Sequence, residues 1–451
     1  MQTPRPNTLA SLALLLAAAT AALQACAPTT RTAFDPADPV ETTDATLPQH
    51  IGRSIDARLN ALRNFRGFET TTIVCEIPDA SAALTPIQSA IDSLPPAGGT
   101  VVLPAGDLLI NAPIRIIRSN VRLIGQGERR TTIRFAPGAM RGLILDCIEI
   151  KGPSPTNPIR NIHIAGLTID ANYWNQPGSY NPRAIDTDNA TDILIEQATI
   201  TRAFVGLTFG LGVNRATAHR VTINNWHNDA FNASGDGITA GASDILFHRC
   251  TAENSLNERR GGPPGNRNNA WEIEDGAADV TLIDCTVQNA SGNGFAVRNH
   301  SLDEPCTTSD ITFINCNARN IDNNAFHVIG RPHPNNIENI TLLGCRTDSV
   351  SSFTKGIRGL SIRDSNLDAT VSIGPASDAT IARSTLRHLT LWSFPVTVNN
   401  NEQASYETSL TIIDSRIRGQ LSVLGELSGL TLQDTEIPEN SNIPTAAEPT
   451  L

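Results

Sequence analysis

SDILFHRC (Ser243–Cys250), ADVTLIDC (Ala278–Cys285), SDITFINC (Ser309–Cys316) and ENITLLGC (Glu338–Cys345) are four copies of one phrase. Each is a turn residue followed by apolar-x-apolar, the pattern of a strand with one face buried. Degenerate copies lie on both sides. Aligned on the second position, the copies fall at Asn161, Asp192, Arg215, Asp244, Asp279, Asp310, Asn339, Gly359, Asp378, Ser409 and Gly429. The steps run from 19 residues (Gly359 to Asp378) to 35 (Asp244 to Asp279). Repeats of this length, built from strands without helices, stack into a solenoid.

A second row keeps the same register. Its members are Asp229-Ala230-Phe231-Asn232-Ala233, Asn269-Ala270-Trp271-Glu272-Ile273, Asn293-Gly294-Phe295-Ala296-Val297 and Asn324-Ala325-Phe326-His327-Val328, with Arg183-Ala184-Ile185-Asp186-Thr187 an earlier one. Phe231, Trp271, Phe295 and Phe326 are expected to stack inside the coil. Asp229, Asn269, Asn293 and Asn324 are expected to form a corner ladder that bonds turn backbone. Cys250, Cys285, Cys316 and Cys345 share one repeat position, which Ser365, Ser384, Ser415 and Thr435 continue. This reads as a buried stack of small residues. Neighbouring rungs about 4.8 Å apart would also admit disulfides, whereas a metal needs ligands converging on one point.

The first 26 residues hold one Arg, an apolar run from Leu9 to Leu23, and then Leu-Gln-Ala-Cys. The run is too short and Ala-rich for a membrane span and reads as a secretory signal. Leu23–Cys26 resembles a bacterial lipobox. That resemblance implies a lipidated Cys26, and Ala27 after it implies an outer-membrane or cell-surface lipoprotein, with a periplasm-facing position as the variant. Residues 27–48, rich in Thr, Pro, Ala and Asp, read as a flexible tether. Residues 49–440 hold the capped solenoid, and 441–451 a loose tail. The net charge of −11 argues against a nucleic-acid partner, which would want a basic stripe. Lys151 and Lys355 are the only lysines. Arg supplies the other cations and suits bidentate carboxylate recognition, although a GC-rich genome would give the same bias.

Ahead of the regular coils, Thr85-Pro86 opens a helix with Ile87, Ala90, Ile91 and Leu94 on one face, and Pro95-Pro96 stops it. The runs IQSAID, GGTVVLPAGDLLI and SNVRLIGQG follow in that order between Ile87 and Gly127. This order resembles the N-terminal cap and first coils of the pectate-lyase-type right-handed parallel β-helix superfamily. The resemblance covers about residues 83–345 and thins toward 437. It implies an all-β fold: a right-handed parallel β-helix solenoid with an N-terminal helical cap. Ile51, Ile55, Leu59 and Leu62 repeat at helical spacing, which predicts a second cap helix over Ile51–Phe65. The superfamily carries lyases, hydrolases, epimerases and non-catalytic proteins, so the fold alone does not choose a chemistry.

Residues flanking a buried aromatic in a strand point outward. One outward row is Asp186, Asn232, Glu272, Ala296 and His327, and the next is Asp188, Ser234, Glu274, Arg298 and Ile329. Glu272 and Glu274 therefore share a face, about 6.6 Å apart along the strand. Arg298 falls one coil on, His327 two coils on, and His300 and Arg331 near the same strand ends. Glu272, Glu274, Arg298 and His327 are the candidate catalytic residues. Tyr173 and Trp174, in the Asn172–Pro182 insertion, read as exposed rings for stacking on sugars. Arg259, Arg260 and Arg267, in the Leu256–Asn268 insertion, with His300 and Arg331, read as groups that pair with uronate or sulfate. Two carboxylates suit glycoside hydrolysis. An Arg or His base with a neutralising cation suits β-elimination. Calcium is a candidate beside Glu272, Glu274 and Asp275, but no metal ligand is assigned, because outward acids without a cage are more often solvated. The paired-Asp and Gly-His-Gly motifs of polygalacturonase-type hydrolases are missing, as is the Asp-Pro-His signature of alginate epimerases. The expected function is a surface-tethered enzyme that cleaves or modifies an extended polysaccharide, uronic-acid-containing ones included, as a polysaccharide lyase or a glycoside hydrolase. The alternative is a non-catalytic glycan-binding or cell-envelope lipoprotein.

Overall fold

The structure, a computed structural model, describes residues 49–139, 146–176, 182–235, 241–255, 268–300, 306–330, 337–393, 396–398, 402–404, 408–425, 427, 429–439 and 441. The chain divides into a unit ending at Phe65 and a unit from Arg66 onward. In the first, Gln49–Arg63 is an α-helix with Ile55 and Leu59 buried, as the spacing predicts. Cys26 and the tether lie outside the described residues, as do Arg259, Arg260, Arg267, Arg331 and most of the tail.

The second unit is a parallel β-helix whose coils present three sheet faces. The repeated phrase forms the first. Its strands Ala190–Thr201, Asn214–Asn224, Ser243–His248, Ala278–Ile283, Thr308–Ile314 and Ile337–Leu343 pair in parallel, each with the equivalent strand one coil later. Ile245 and Phe247 pair with Val280 and Leu282, and these with Ile311 and Phe313, so the apolar positions of the phrase all point into the coil.

The aligned turn residue explains how a strand of one face follows the last strand of the previous coil. Asn161, Asp192, Arg215, Asp244, Asp279, Asp310, Asn339 and Asp378 all have φ between 53° and 60°, and Gly359 has φ 75°. This left-handed conformation suits Gly, and Asn and Asp tolerate it better than other side chains. Arg215 occupies it while its guanidinium grips Asp192 of the previous coil at 2.8 and 2.7 Å.

The interior follows the expected rows. Phe231 stacks on Trp271 at 4.4 Å between ring centroids, Trp271 on Phe295 at 5.0 Å, and Phe295 on Phe326 at 5.1 Å. The four repeat cysteines are fully buried and free. Each thiol donates to the carbonyl two residues before it, as Cys285 does to Ile283 at 3.5 Å. Ser365 repeats that bond to Arg363 at 2.8 Å, so the Cys and Ser rungs solve the same corner problem. The polar ladder differs from the expectation. Asn269 donates to the Asp229 carboxylate at 3.1 Å, and Asn293 to Asn269 at 2.8 Å. The amides bond from rung to rung instead of to turn backbone.

Leu84–Asp92 is the predicted helix, and Ile87, Ala90, Ile91 and Leu94 join the core. Its Gln88 side chain donates to the Arg115 carbonyl at 3.0 Å and accepts from the Arg115 amide at 2.8 Å. The free edge of the Ile114–Ile116 strand is thereby satisfied, which blocks edge-to-edge pairing.

Candidate active site

The sheet that begins at Ile114–Ile116 continues through Asp146–Lys151, Arg183–Asp188, Val205–Phe209, Asp229–Ala233, Asn269–Glu274, Asn293–Arg298 and Phe326–Ile329. Its register puts Glu149, Asp186, Thr208, Asn232, Glu272, Ala296 and His327 in one outward row. Glu274 and Arg298 pair in the next row. The predicted row is therefore correct in direction.

Its burial is different from a solvated strand surface. Asp186 and Glu272 are each 2% exposed, and Asn232 is 6%. Side chains one rung apart stand about 4.8 Å from each other, and the charged groups of the flanking row fold over them. Glu272 accepts an ion-paired hydrogen bond from Arg298 Nε and a second bond from Asn269 Nδ2 at 3.1 Å. Arg298 is level with Glu274 in register but spends its charge on Glu272.

Glu274 is the more accessible carboxylate, with 13% of its side chain exposed. Its Oε1 accepts from Asn232 Nδ2 at 2.8 Å, and its Oε2 lies 2.6 Å from His300 Nδ1. His300 is 43% exposed at the side chain and is also 3.3 Å from Asp275 Oδ2. Asp275 holds the His300 backbone amide at 2.5 Å, and Asn299 holds the Asp275 amide at 3.0 Å. The imidazole thus rises from a pinned turn onto the carboxylate pair.

The protonation pattern follows from these contacts. Burial, then the neighbouring Glu272 charge, pushes Asp229 well above the carboxylate range, so it keeps its proton and donates to Glu272. Burial alone would raise Glu272; the bonds from Asp229 and Arg298 outweigh it and hold Glu272 below its ordinary value. Burial raises Glu274, against the pull of His300. His300 is pushed up to about 9 by its bonds to Asp275 and Glu274. His327 is driven down to about 4 by burial and by Arg298, and is neutral near pH 7. The face therefore holds a Glu272 held below its ordinary pKa, a Glu274 raised above its own, and a cationic His300 that reaches solvent. Separated pKa values of this kind are how one site provides both an acid and a base.

Among the described residues, Glu272, Glu274 and His300 offer one ligand atom each within 4.8 Å of one another. Calcium takes six to eight oxygen ligands. Two carboxylates, one committed to a guanidinium, and an imidazole do not fit that demand.

Other expected residues fall elsewhere. Tyr173 is buried, not exposed. It packs edge-on to Trp174 at 4.9 Å and lies 5.2 Å from the His227 ring, so its ring is enclosed by other side chains. Trp174 keeps a half-buried face. His327 joins the row but makes no ion pair with the carboxylates. Asp229, Asn269 and Asn232 went unrecognised as supports. Their signal was available, since Asp229 and Asn269 align with Asn293 two positions before the core aromatic.

Stacked coils, an edge-covering helix and a sunken polar row define a fold: the chain is a right-handed parallel β-helix. Residues 77–258 match the family model described as rhamnogalacturonase A/epimerase, pectate lyase-like. The A-module of the Azotobacter vinelandii mannuronan C-5 epimerase AlgE4 is similar with a TM-score of 0.54 at 18% identity, over 81% of this chain and 94% of that one. The catalytic domain of a GH87 alpha-1,3-glucanase, in complex with nigerose, gives 0.54 at 11% identity, over 85% and 69%. The N-terminal fragment of gene product 12 of bacteriophage phi29 gives 0.58 at 15% identity, over 86% and 68%. At such identities the likeness establishes the fold alone. No curated protein matches the sequence.

Proposed function

We propose that this protein is a polysaccharide-active enzyme working by acid–base chemistry at Glu274 and His300. One observation carries the reading: Glu272 and Glu274, two carboxylates whose pKa values are pushed down and up respectively, and a cationic His300 converge within 4.8 Å on the outward face of a solenoid sheet. Glu274 is the proton-transfer group. His300 supplies an exposed positive charge for a substrate oxygen or carboxylate. Arg298, Glu272, Asn269 and Asp229 hold the pair in place. An extended polymer suits a face of repeating rungs, and the named neighbours that act on mannuronan and alpha-1,3-glucan support that class.

The test is a panel of mannuronan, polygalacturonate, rhamnogalacturonan and alpha-1,3-glucan. Reducing ends report hydrolysis, the ultraviolet absorbance of an unsaturated uronide reports elimination, and proton NMR of the polymer reports epimerisation. No change in any substrate overturns the reading. Binding without turnover would favour the glycan-binding alternative, which the full commitment of Glu272 to protein partners supports. The donor set argues for turnover without calcium. The rate is expected to survive EGTA, and its loss on chelation with recovery on adding calcium would reverse that point.

The leader is read as placing this activity at the outer membrane or cell surface through a lipid on Cys26. Labelling with radioactive palmitate should mark the wild type and not Cys26→Ser. Equal labelling of both would end the anchor proposal.

A further inference from the structure

Three rungs before Glu272, the same sheet carries a second charged group that the reading above does not use. Arg183 Nε and Nη2 donate to Asp146 at 2.5 and 3.1 Å, and Arg183 Nη1 lies 3.0 Å from Asp186. Lys151 Nζ is 2.8 Å from Asp186, 3.6 Å from Asp146 and 3.8 Å from Asp188. Asp146 and Asp186 are nearly inaccessible at the side chain, while Lys151, Arg183 and Asp188 each keep about a third of theirs in solvent.

This arrangement is costly unless it is used. Burying two carboxylates to hold two cations in place contributes little to stability compared with an apolar face. What it gives is rigid donors, Lys151 and Arg183, beside one accessible acceptor, Asp188. The repeat also matches the Glu272 region: acids at i and i+2 of one strand, with a cation from the neighbouring coil. Between the two groups the outward row reads Thr208 and Asn232. Asn232 is 6% exposed, donates to Glu274, and leaves its Oδ1 without a hydrogen-bond partner. A buried amide oxygen in that position is a polar atom waiting for a donor.

We propose that Lys151, Arg183 and Asp188 form a sugar-binding station about 14 Å from Glu272, three rungs of about 4.8 Å each, and that Asn232 lines the path between. Its ligand is a hydroxyl-bearing sugar unit of the same polymer chain. Two fixed donors and one acceptor match a ring with neighbouring hydroxyl groups. This rests on the proposed function and adds to it that the enzyme reads chain length: a disaccharide cannot reach both places, and a longer oligosaccharide can.

Asp188→Asn is the first variant because Asp188 is the accessible member. Lys151→Gln is the second, with circular dichroism and thermal unfolding to verify its fold. Hexasaccharides and disaccharides of mannuronate, galacturonate and α-1,3-linked glucose are compared by steady-state kinetics and by calorimetric binding. The expected result for Asp188→Asn is KM for the hexasaccharide raised at least roughly tenfold with kcat within twofold, weaker hexasaccharide binding, and unchanged kinetics on the disaccharide. Equal losses on long and short substrates would place the chemistry itself at Asp188 and overturn the station. Unchanged binding and KM in both variants would make the network structural and overturn it as well. Glu274→Gln separates the two readings. If it abolishes turnover while Asp188→Asn changes nothing, the station alone falls. If it leaves turnover intact, the proposed active site falls.

Discussion

Glu272 and Glu274 are two residues apart on one strand and have opposite tasks. Glu272 is enclosed by Arg298, Asn269 and a protonated Asp229. Glu274 meets Asn232 on one oxygen and His300 on the other. Replacing Glu274 by Gln keeps the shape and removes the titrating oxygen. Turnover is expected to fall by about two to four orders of magnitude, and the His300 pKa, about 9 in the wild type, is expected to drop toward 6.5. Activity assays and an NMR titration of the imidazole check both, and an unmoved His300 would show that Asp275 alone sets its charge. Arg298→Met should act differently. It strands the Glu272 carboxylate, which is 2% exposed, and is expected to cost about 3 kcal/mol in chemical denaturation. Adding Glu272→Gln to that variant should restore most of the loss, since the buried charge is then gone. Failure of that rescue would mean that the guanidinium stem, not the ion pair, supports the sheet.

At the level of the coil corner, position matters more than residue type. Asn161 donates to Asn120 at 2.8 Å, and Asn339 to Asp310 at 2.9 Å, each across one rung. Asp279 sits in that same stack between Asp244 and Asp310. Burial, then those two charges, pushes its carboxyl up to about 6. A raised folded-state pKa means that the wild type is stabilised as pH falls from 6 toward 3.8 and penalised above 6. Asp279→Asn, which can donate as Asn161 and Asn339 do, is expected to stabilise the protein at pH 7 by about 1 kcal/mol, less than the full shift because the corner is open to solvent. The gain should vanish below about pH 4, where Asp279 is protonated in both states, and thermal unfolding at the two pH values decides it. The cysteine ladder follows the same logic. Cys285→Ser reproduces the bond that Ser365 makes to Arg363 and should be tolerated, while Cys285→Leu overfills the corner.

The whole molecule was legible from its sequence where one rung dictates the next. The aromatic stack, the corner residues and the outward direction of Glu272 and Glu274 all follow from a repeat of fixed phase. The Asp146–Lys151 strand lies outside the aromatic row, and Asp146 is 37 residues before its partner Arg183, so no local pattern announced the Lys151 network. Tyr173 was misplaced because an insertion has no repeat to say which way a ring turns. Depth was also hidden: alternation gives the direction of Glu272, but its burial arises from Arg298, which is 26 residues further on. These two histidine environments make the stability of the whole stack depend on pH in both directions. His327, held down at about 4, takes up a proton more readily unfolded than folded. Its contribution is complete above 6.5 and drains as pH falls toward 4. His300, held up at about 9, behaves oppositely. Its contribution is complete below 6.5 and is lost as pH rises through 9. Thermal unfolding of the wild type, His327→Gln and His300→Gln between pH 4 and pH 10 separates the limbs. Relative to wild type, His327→Gln should lose less stability on the acid side and His300→Gln less on the alkaline side, with each variant parallel to wild type on the other. Curves parallel to wild type throughout would mean that neither imidazole feels the charges that surround it.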